Sequence, residues 1–504
     1  MIKNLNCILI FLSALIFISC AASREKEKIE DQKIQSEIER ILYSDSLLSN
    51  SNFGIIVKSL KENKIIYEKN SEKNFNPASN VKIVSAFSAL NELGPHFRFE
   101  TKLYTNGEIQ NNVLNGDLFV WSNGDPTFYT RFFDSSTAVF YKFADELKKK
   151  GIREIKGSII ADASAFDNKT IGFGWNYDDL QNWYAAQITP LQLNENYIDF
   201  KIIPFSKNKL ITIEPNLKTT WVKIEKNFQF FNDTNSEKKL SQRIYAKKKT
   251  ICDDEIIFGG EIYANDSTSL EISISLSNPN LFYVQVLKDV FHKSGITVSG
   301  GIIAIEDTAK IKLVRKDTLL LLSYKSFPLS QILKEMMKVS HNLYAETMIK
   351  AIAFQRENYG SFDVGKKYCE DQLEANGLNR NSYKFVDGSG LSRINYFSPK
   401  HFLTILESYL QSPFKDVWLD LFPIAGIDGT LKNRLVNTSA MGKIKAKTGS
   451  LSNVRALSGY VCSSSGEPIL VFSTIWNGYL TPVSNVDAVI DNLLLYLVKR
   501  FNIN

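Results

Sequence analysis

The sequence predicts a mixed α/β chain in which a long β-rich segment separates two halves of one α/β domain. Two strand-like segments precede a helix that begins near Ser79 and is rich in alanine and leucine. Residues 101–317 are mostly short segments in which apolar and polar side chains alternate, as they do on the two faces of a sheet. After residue 318 the chain becomes helical and then ends in three apolar strands and an amphipathic helix. We therefore predict an α/β domain from residues 50–100 plus 318–504, with a β-rich insertion of two small domains at 101–317.

The individual helices and strands are predicted from the spacing of apolar residues along the chain and from turn residues. A Lys-Glu-Asn-Lys turn separates the first two predicted strands, and β-branched residues alternate with polar ones through the insertion. The closing helix is amphipathic. The predicted strands are 53–60, 64–68, 116–121, 155–162, 198–203, 300–306, 443–448, 454–462 and 469–476, and the predicted helices begin near 79, 279, 330, 343 and 483.

Length and charge exclude some classes of protein. A chain of 504 residues is expected to hold several domains. The net charge of +6 comes from 60 basic and 54 acidic residues spread along the chain. This balance lacks the concentrated basic patch of a nucleic-acid-binding protein, so we expect no nucleic-acid partner.

The first residues predict export. Lys3 precedes an apolar stretch at 7–19 that is too short to span a bilayer, which is typical of a signal peptide at 1–19. Ser19 followed by Cys20 resembles a bacterial lipoprotein signal, in which Cys20 would be lipidated and would anchor the chain to a membrane. An ordinary secretory peptide that is cleaved nearby is the alternative. In both cases the chain is expected in the periplasm or cell envelope, with residues 20–49 as a charged tether and N-terminal helix.

The remaining cysteines do not form a recognisable pattern. Cys252, Cys369 and Cys462 are an odd number at scattered positions, so they imply no disulfide framework and allow one pair with one free thiol. No Cys-x-x-Cys pattern is present, and we expect neither a metal nor a cofactor.

Ser79-x-x-Lys82 is the first motif with chemical meaning. Residues three apart share one face of a helix, so the lysine amine can reach the serine hydroxyl. A lysine whose pKa is lowered by burial or by a second cation can take the serine proton and make the oxygen nucleophilic. On its own the motif is more often a helix-start serine beside a solvated lysine.

Two further motifs follow in order. Ser340-His341-Asn342 lies in a predicted turn between two helices, and Lys447-Thr448-Gly449 ends a predicted edge strand. Together with Ser79-x-x-Lys82 they form the trio of penicillin-binding proteins and class A β-lactamases, with His341 in place of the usual aspartate. Singly, each motif has a simpler interpretation: a solubilising lysine, a hairpin glycine, or a histidine that is a surface or packing residue. All three in order are far more specific.

The chain resembles the D-alanyl-D-alanine carboxypeptidase/endopeptidase family, the low-molecular-mass class C penicillin-binding proteins. Besides the trio, four segments are similar to that family: Gly124-Asp125-Pro126-Thr127-Phe128, Gly174-Trp175-Asn176-Tyr177-Asp178-Asp179, Asp387-Gly388-Ser389-Gly390-Leu391-Ser392-Arg393 and Ala425-Gly426-Ile427-Asp428-Gly429-Thr430-Leu431. The resemblance covers nearly the whole chain from about residue 50. It implies a serine β-lactamase/transpeptidase-like domain, an antiparallel sheet flanked by helices, with large inserted domains.

The resemblance also implies roles for the motif residues. Ser79 would attack the carbonyl between the last two D-alanines of a peptidoglycan stem peptide, Lys82 would take its proton, and Ser340 would relay a proton to the leaving amine. Asn342 would bind a substrate amide and hold Lys82. The substrate-binding set is completed by Lys447 and Thr448 for the terminal carboxylate, Gly449 for close backbone approach, and the N–H of Ser450 with that of Ser79 for the oxyanion. β-Lactams would be covalent inhibitors of the same serine.

Asp162 and Arg393 match family segments that line the tail of the substrate. An acid and a base at the mouth of a site would suit a side chain with both an amine and a carboxylate, such as diaminopimelate. The alternative interpretation is equally supported by the sequence: Asp162 caps a loop and Arg393 forms a surface ion pair.

Three functions remain open from the sequence. The leading one is a serine D-Ala-D-Ala carboxypeptidase that is also a DD-endopeptidase. The second is a β-lactamase or esterase on the same site, although Glu346, the acid that follows Asn342, is interpreted as helix surface rather than as a deacylating base. The third is a catalytically silent lipoprotein that binds peptidoglycan. No G-x-S-x-G or H-E-x-x-H motif is present, which disfavours a triad hydrolase or a zinc peptidase.

Overall fold

The computed structural model describes residues 28–205, 209–233, 239–315 and 317–503. The predicted signal peptide and Cys20 therefore lie outside the described residues. Within the described ranges, no helix combines the length and the apolar character that crossing a membrane requires.

Twelve α-helices are described in these ranges. They are α1 (28–42), α2 (Val81–Leu93), α3 (Ala138–Lys149), α4 (Leu240–Arg243), α5 (Pro279–Lys293), α6 (Thr308–Val314), α7 (Leu329–Lys338), α8 (Asn342–Glu357), α9 (Phe362–Ala375), α10 (Pro399–Tyr409), α11 (Lys415–Leu421) and α12 (Val483–Arg500).

The described strands number twenty. They are β1 (Asn52–Ser59), β2 (Lys64–Lys69), β3 (Glu100–Thr105), β4 (Glu108–Gln110), β5 (Val113–Asn115), β6 (Leu118–Ser122), β7 (Glu154–Ile155), β8 (Ile159–Asp162), β9 (Tyr197–Phe205), β10 (Leu210–Pro215), β11 (Lys223–Phe231), β12 (Ile244–Lys248), β13 (Glu255–Tyr263), β14 (Leu270–Ser275), β15 (Thr297–Val298), β16 (Ile302–Ile305), β17 (Leu319–Lys325), β18 (Ile444–Leu451), β19 (Val454–Cys462) and β20 (Pro468–Asn477).

The chain forms two compact units. The first contains the described residues up to Pro77 together with Phe397–Glu407 and the residues from Pro423 onward. The second contains Ala78–Tyr396 and Ser408–Phe422. The domain boundaries that the sequence predicts, 50–100 plus 318–504 around 101–317, stay a prediction, and the compact units divide the chain at other residues.

The first unit is built on one antiparallel sheet with the strand order β18-β19-β20-β1-β2. Helices α1 and α12 contribute to its core: Ile38 of α1 and Ile490 of α12 are buried in the same cluster as Phe472 and Trp476 of β20. The apolar residues of α12 recur every three or four positions, so one face of the helix is buried. The order of strands leaves β18 at an edge of the sheet.

The second unit holds the β-rich segment and most of the helices. Four sheets are described in it, with the orders β16-β8-β6-β3-β17, β15-β7-β5-β4, β10-β9-β14 and β11-β13-β12. Helix α2 packs against α7, α8 and α9. The segment after the first helix is therefore rich in strands, as the sequence predicts.

The three described cysteines are all free. Cys369 and Cys462 are buried, and Cys252 is exposed. The pairing that the sequence allowed is absent from the described residues, and burial raises the pKa of both buried thiols to about 12, which keeps them protonated and unreactive.

Candidate active site

Ser79 stands at the entrance to α2. A single 3₁₀ turn, Ala78–Asn80, leads into the helix, and Lys82 is the second residue of the helix proper. Ser79 is partly exposed, whereas Lys82 is fully buried. The Nζ atom of Lys82 lies 3.0 Å from the Oγ atom of Ser79, so the amine and the hydroxyl are within direct proton-transfer distance.

Two oxygen atoms complete the surroundings of the Lys82 amine. Nζ donates to Oδ1 of Asn342 at 2.6 Å and to the carbonyl oxygen of Ser389 at 2.7 Å. The orientation of the Asn342 amide follows from its other contact, because Nδ2 donates at 2.7 Å to the carbonyl oxygen of Tyr184, which can only accept. Asn342 therefore presents its oxygen to Lys82.

This arrangement suits a neutral amine that acts as a base. A neutral amine has two N–H bonds and one lone pair. Asn342 Oδ1 and Ser389 O are both acceptors and take the two N–H bonds. The lone pair is left for the hydroxyl hydrogen of Ser79, which is the group that must lose a proton to become a nucleophile.

The pKa of Lys82 is matched to that task. Burial lowers it from 10.5 to about 7, while the negative charges of Asp387 and Glu346 act in the opposite direction. The sequence suggests burial or a second cation as the cause. Burial is the largest cause, and the charges that modify it within this unit are carboxylates.

Asp387 organises the loop that supplies the Ser389 carbonyl. Its carboxylate accepts from the backbone N–H of Gly390 at 2.9 Å, from that of Ser392 at 2.6 Å and from Nε1 of Trp175 at 2.9 Å. Gly390 has a φ of +80°, and a Cβ there would lie 1.9 Å from the carbonyl oxygen of Ala78. Only glycine fits, since the loop packs directly against the turn that carries the serine.

Glu346 is not a helix-surface residue, and the sequence interpretation was wrong. Its side chain on α8 is fully buried. Its carboxylate accepts from the backbone N–H of Gly388 at 3.0 Å and from that of Ser389 at 2.8 Å. Burial, together with the negative charge of Asp387, raises the pKa of Glu346. Both carboxylate oxygens thus accept hydrogen bonds from the loop around Ser389.

The Ser340-His341-Asn342 motif lies where the sequence predicts it, between α7 and α8. Ser340 has a left-handed backbone with φ of +61°, and Asn342 is the first residue of α8. A left-handed serine is uncommon and persists where its surroundings hold it. His341 is buried, with 1% of its surface exposed, so it is a packing residue rather than a surface residue.

The third motif, Lys447-Thr448-Gly449, belongs to the first unit. Lys447 and Thr448 lie on the edge strand β18, as predicted, and both are buried, whereas Ser450 is exposed. Lys447 Nζ donates to the carbonyl oxygen of Thr448 at 2.7 Å. The Thr448 hydroxyl donates at 2.8 Å to that of Thr430, which fixes its rotamer. Gly449, also buried, pairs with Ala456 of β19.

Asp162 and Arg393 differ in exposure. Asp162, at the end of β8, is fully buried and forms an ion pair with Arg315, and it also accepts from the Ser164 hydroxyl at 2.6 Å. The Asp162 carboxylate therefore already has two partners among the described residues. Arg393 is exposed. Their roles in substrate binding stay predictions.

Sequence reasoning assigned no role to several residues that build the site. Ser389 and Asp387 were noted only as part of a family-like segment, and Glu346, Thr430 and Tyr184 were missed as contacts. A signal existed for the loop: an aspartate followed by Gly-Ser-Gly is typical of a turn whose backbone N–H groups bind the carboxylate. No pattern in the sequence shows that a backbone carbonyl 307 positions away contacts Lys82.

Comparisons with known proteins show the family of the chain. A sequence model of the D-Ala-D-Ala carboxypeptidase 3 (S13) family matches residues 34–494. The D-alanyl-D-alanine carboxypeptidase DacB of Haemophilus influenzae is 29% identical over 445 residues, which are 87% of this chain and 88% of that protein.

Solved structures are also similar to this chain. The crystal structure of penicillin-binding protein 4 from Haemophilus influenzae is similar with a TM-score of 0.75 and 27% identity, and the match covers 90% of this chain and 98% of that chain. The same protein complexed with a β-lactam is similar with a TM-score of 0.72 and 26% identity, covering 92% and 98%. The match confirms the predicted fold class. This chain belongs to the D-Ala-D-Ala carboxypeptidase 3 (S13) family of peptidases, and it is a hydrolase of the carboxypeptidase class.

Proposed function

We propose that this protein is a serine-type D-Ala-D-Ala carboxypeptidase that acts on peptidoglycan stem peptides through an acyl-enzyme on Ser79. The observation that carries the proposal is the Lys82 amine. It is fully buried, it lies 3.0 Å from the Ser79 hydroxyl, and its other two partners are acceptors. A base of this kind makes a serine nucleophilic without a histidine.

Acylation begins when Lys82 takes the Ser79 proton. The Ser79 oxygen attacks the carbonyl carbon between the two terminal D-alanines, and the carbonyl oxygen becomes an oxyanion. Ser340 relays a proton to the nitrogen of the departing D-alanine, the C–N bond breaks, and an ester to Ser79 remains. Water then hydrolyses this ester, with Lys82 as the base, and restores the free serine.

The other motif residues bind the substrate in this proposal. Asn342 holds a substrate amide while its oxygen keeps Lys82 in place. Lys447 and Thr448 bind the terminal carboxylate, and the buried Gly449 lets the substrate backbone approach β18. The backbone N–H groups of Ser79 and Ser450 stabilise the oxyanion. Asp162 and Arg393 are proposed for the tail of the stem peptide, with Arg393 as the exposed member.

The same chemistry extends to two related reactions. A cross-link between stem peptides is also an amide on the carboxyl side of a D-alanine, so we propose DD-endopeptidase activity in which a longer amine leaves. A β-lactam presents a strained amide beside a carboxylate, so we propose that it acylates Ser79 and is released slowly. The similar protein from Haemophilus influenzae has been crystallised with a β-lactam.

The proposed location is the bacterial periplasm or cell envelope. A peptidoglycan substrate and the predicted signal peptide at 1–19 support it. We propose that Cys20 is lipidated and anchors the chain to a membrane. Replacing Cys20 with serine should then move the protein from the membrane fraction to the soluble fraction; an unchanged distribution would rule out the anchor and leave an ordinary signal peptide.

The decisive experiment is intact-protein mass spectrometry after incubation with benzylpenicillin. The wild type should gain the mass of one drug molecule, and Ser79→Ala should not. Ser88→Ala is the matched control, because Ser88 is a buried serine on the same helix α2. It should still form the adduct. Release of D-alanine from a stem pentapeptide, and cleavage of a cross-linked dimer, should fail in Ser79→Ala alone.

Other outcomes would select the other two functions. Consumption of the drug without an adduct would indicate a β-lactamase or esterase. The structure offers no support for that outcome at Glu346, since both of its oxygens bind backbone N–H groups. Intact drug and no adduct, together with binding of peptidoglycan, would indicate a catalytically silent binding protein.

A further inference from the structure

We infer that the contact between His341 and Glu195 positions the Ser340-His341-Asn342 turn, so that both residues are positioning residues for acylation. The inference rests on the proposed function, because the turn carries Ser340 and Asn342. It concerns residues to which no role in the reaction has been assigned above. All of them lie in the second unit.

Glu195 is an unusual residue for a buried position. Its side chain is fully buried, and four groups surround the carboxylate. Arg131 Nε donates to Oε1 at 2.8 Å, and the hydroxyls of Tyr344 and Tyr197 donate to Oε1 at 2.7 Å and to Oε2 at 2.5 Å. Nε2 of His341 lies 2.9 Å from Oε2. A buried carboxylate is stable only with partners of this kind.

The carboxylate is ionised in this setting. Burial opposes ionisation, but the contacts with His341 and Arg131 outweigh it and lower the pKa of Glu195 to about 2. The side chain is therefore an anion throughout the neutral range. An anion without freedom to move is a fixed anchor for the imidazole ring beside it.

The backbone that presents Glu195 is held in a rare conformation. Asn194, Glu195 and Asn196 have φ values of +52°, +53° and +58° in succession. Asparagine adopts left-handed backbone angles more readily than most residues, whereas glutamate rarely adopts them. The flanking side chains hold the turn: Ser136 donates to Oδ1 of Asn194 at 2.6 Å, and Asn196 donates to the carbonyl of Gln187 at 2.8 Å. The fold thus keeps Glu195 where it can meet His341.

His341 is fixed by packing as well as by charge. Its ring lies against Tyr344, with ring centroids 4.3 Å apart, and near Trp183 at 6.1 Å. Neither ring nitrogen has a partner with hydrogen-bond geometry among the described residues, so the 2.9 Å contact has the distance of an ion pair but not the angle of a hydrogen bond. The contact therefore depends on the position of the ring beside the carboxylate.

The Trp183-Tyr184 segment also contacts Asn342, the residue of the motif that follows His341. Tyr184, which follows Trp183, accepts from Nδ2 of Asn342 at 2.7 Å, and Asn342 Oδ1 contacts Lys82. On the other side of His341, Ser340 has a left-handed backbone with φ of +61°. Movement of the imidazole would therefore displace the serine that relays the proton and the amide that holds the base. A displacement of about 1 Å in a catalytic group is enough to slow a reaction about a hundredfold.

The test uses Glu195→Gln, His341→Asn and the double variant in the full chain. Glu195→Gln keeps the shape and removes the charge, and His341→Asn replaces the imidazole ring with a smaller amide and so tests the other member of the pair. Acylation by a chromogenic cephalosporin separates the non-covalent binding constant from the acylation rate constant. Each single variant should lower the rate constant about tenfold with binding changed less than about twofold, and the double variant should be no slower than the worse single one, as for residues of one network.

The matched control is Asp254→Asn. Asp254 is also in the second unit, its side chain is 7% exposed, and it lies 3.3 Å from Nζ of the buried Lys248, but it contacts no residue of the turn in the hydrogen bonds described. This variant should lower the melting temperature and leave the acylation rate constant unchanged. Equal melting-temperature losses with unchanged acylation in all variants would show that Glu195 and His341 act on stability alone.

Hydrogen exchange provides a readout that does not depend on acylation. The backbone N–H of His341 donates to the carbonyl of Met336 at 2.9 Å and should be protected in the wild type. Protection in a peptide covering 336–344 should fall in Glu195→Gln and His341→Asn but not in Asp254→Asn. If the wild type is never acylated, the proposed function fails while exchange still decides whether the pair holds the turn. Unchanged protection would overturn the inference.

Discussion

Two fully buried lysines in the second unit differ in what surrounds the amine. Lys82 on α2 contacts a hydroxyl and two carbonyl-type oxygens, and none of these groups is charged. Lys350 on α8 contacts a carboxylate oxygen of Asp167 at 2.7 Å and the carbonyl of Lys169 at 2.8 Å. Burial lowers the pKa of both lysines, but the Asp167 charge works against this at Lys350 by direct contact.

The difference separates a base from a structural cation. A carboxylate in contact favours the charged amine, which has no lone pair to accept a proton. Lys82 is near Asp387 and Glu346, yet both carboxylates are turned to backbone N–H groups of the 388–392 loop rather than to Nζ. The two carboxylates thus bind the 388–392 loop next to Lys82 without contacting its amine.

Replacing each lysine with methionine should give the largest contrast. Lys82→Met removes the base, so acylation should fall at least about 10³-fold, within the range for loss of a positioned base. Lys350→Met leaves Asp167 without its cation and should destabilise the fold by about 3 kcal/mol while acylation per folded molecule stays within about twofold. Stopped-flow acylation and thermal unfolding measure both. Substantial acylation in Lys82→Met would show that another group is the base.

Asn342→Asp should make Lys82 resemble Lys350. A carboxylate would then replace the oxygen that lies 2.6 Å from Nζ, and it should raise the lysine pKa by about two units. In the wild type the neutral amine increases as pH rises through about 7, so acylation should rise there and then level off. In the variant it should fall about 50-fold at pH 7 and recover near pH 9. A profile that keeps its wild-type midpoint would contradict the role of Lys82.

Lys447→Ala tests a third buried lysine, on β18 of the first unit. If Lys447 binds the terminal carboxylate, KM for a stem peptide should rise about 10- to 100-fold, the size of a hydrogen bond to a charged group. A peptide with an amidated C-terminus should bind equally poorly to wild type and variant. Lys445→Ala is the control, since Lys445 lies two residues earlier on the same face of the strand. Equal losses for acid and amide substrates would refute the assignment.

Glu346→Gln should have the smallest effect on the reaction. The negative charge of Glu346 raises the pKa of Lys82, so its removal should move the acylation midpoint to lower pH by less than about one unit. The amide also offers one acceptor oxygen in place of two, and the melting temperature should fall because Gly388 or Ser389 loses its partner. A midpoint that moves to higher pH would show that the carboxylate acts differently on Lys82.

Local features of the site could be predicted from the sequence because they depend on nearby residues. The spacing of Ser79 and Lys82 places both on one face of a helix start, and the edge strand of Lys447 follows from its apolar alternation. The order of the three motifs indicated the family that the comparisons confirm. The helix over Pro279–Lys293 and the three final strands were also predicted with small errors at their ends.

The sequence by itself determined which groups could react, and only the tertiary structure decided their states. Burial of Lys82, which lowers its pKa, depends on packing by residues such as Asn342 and Ser389, which lie 260 and 307 positions away. Glu346 was misjudged for the same reason. A charged residue in a helical segment is predicted to be exposed, and the loop that buries it is seen only in the folded chain. Protonation depends on solvent and neighbouring charge, and both are properties of the folded chain rather than of any local pattern.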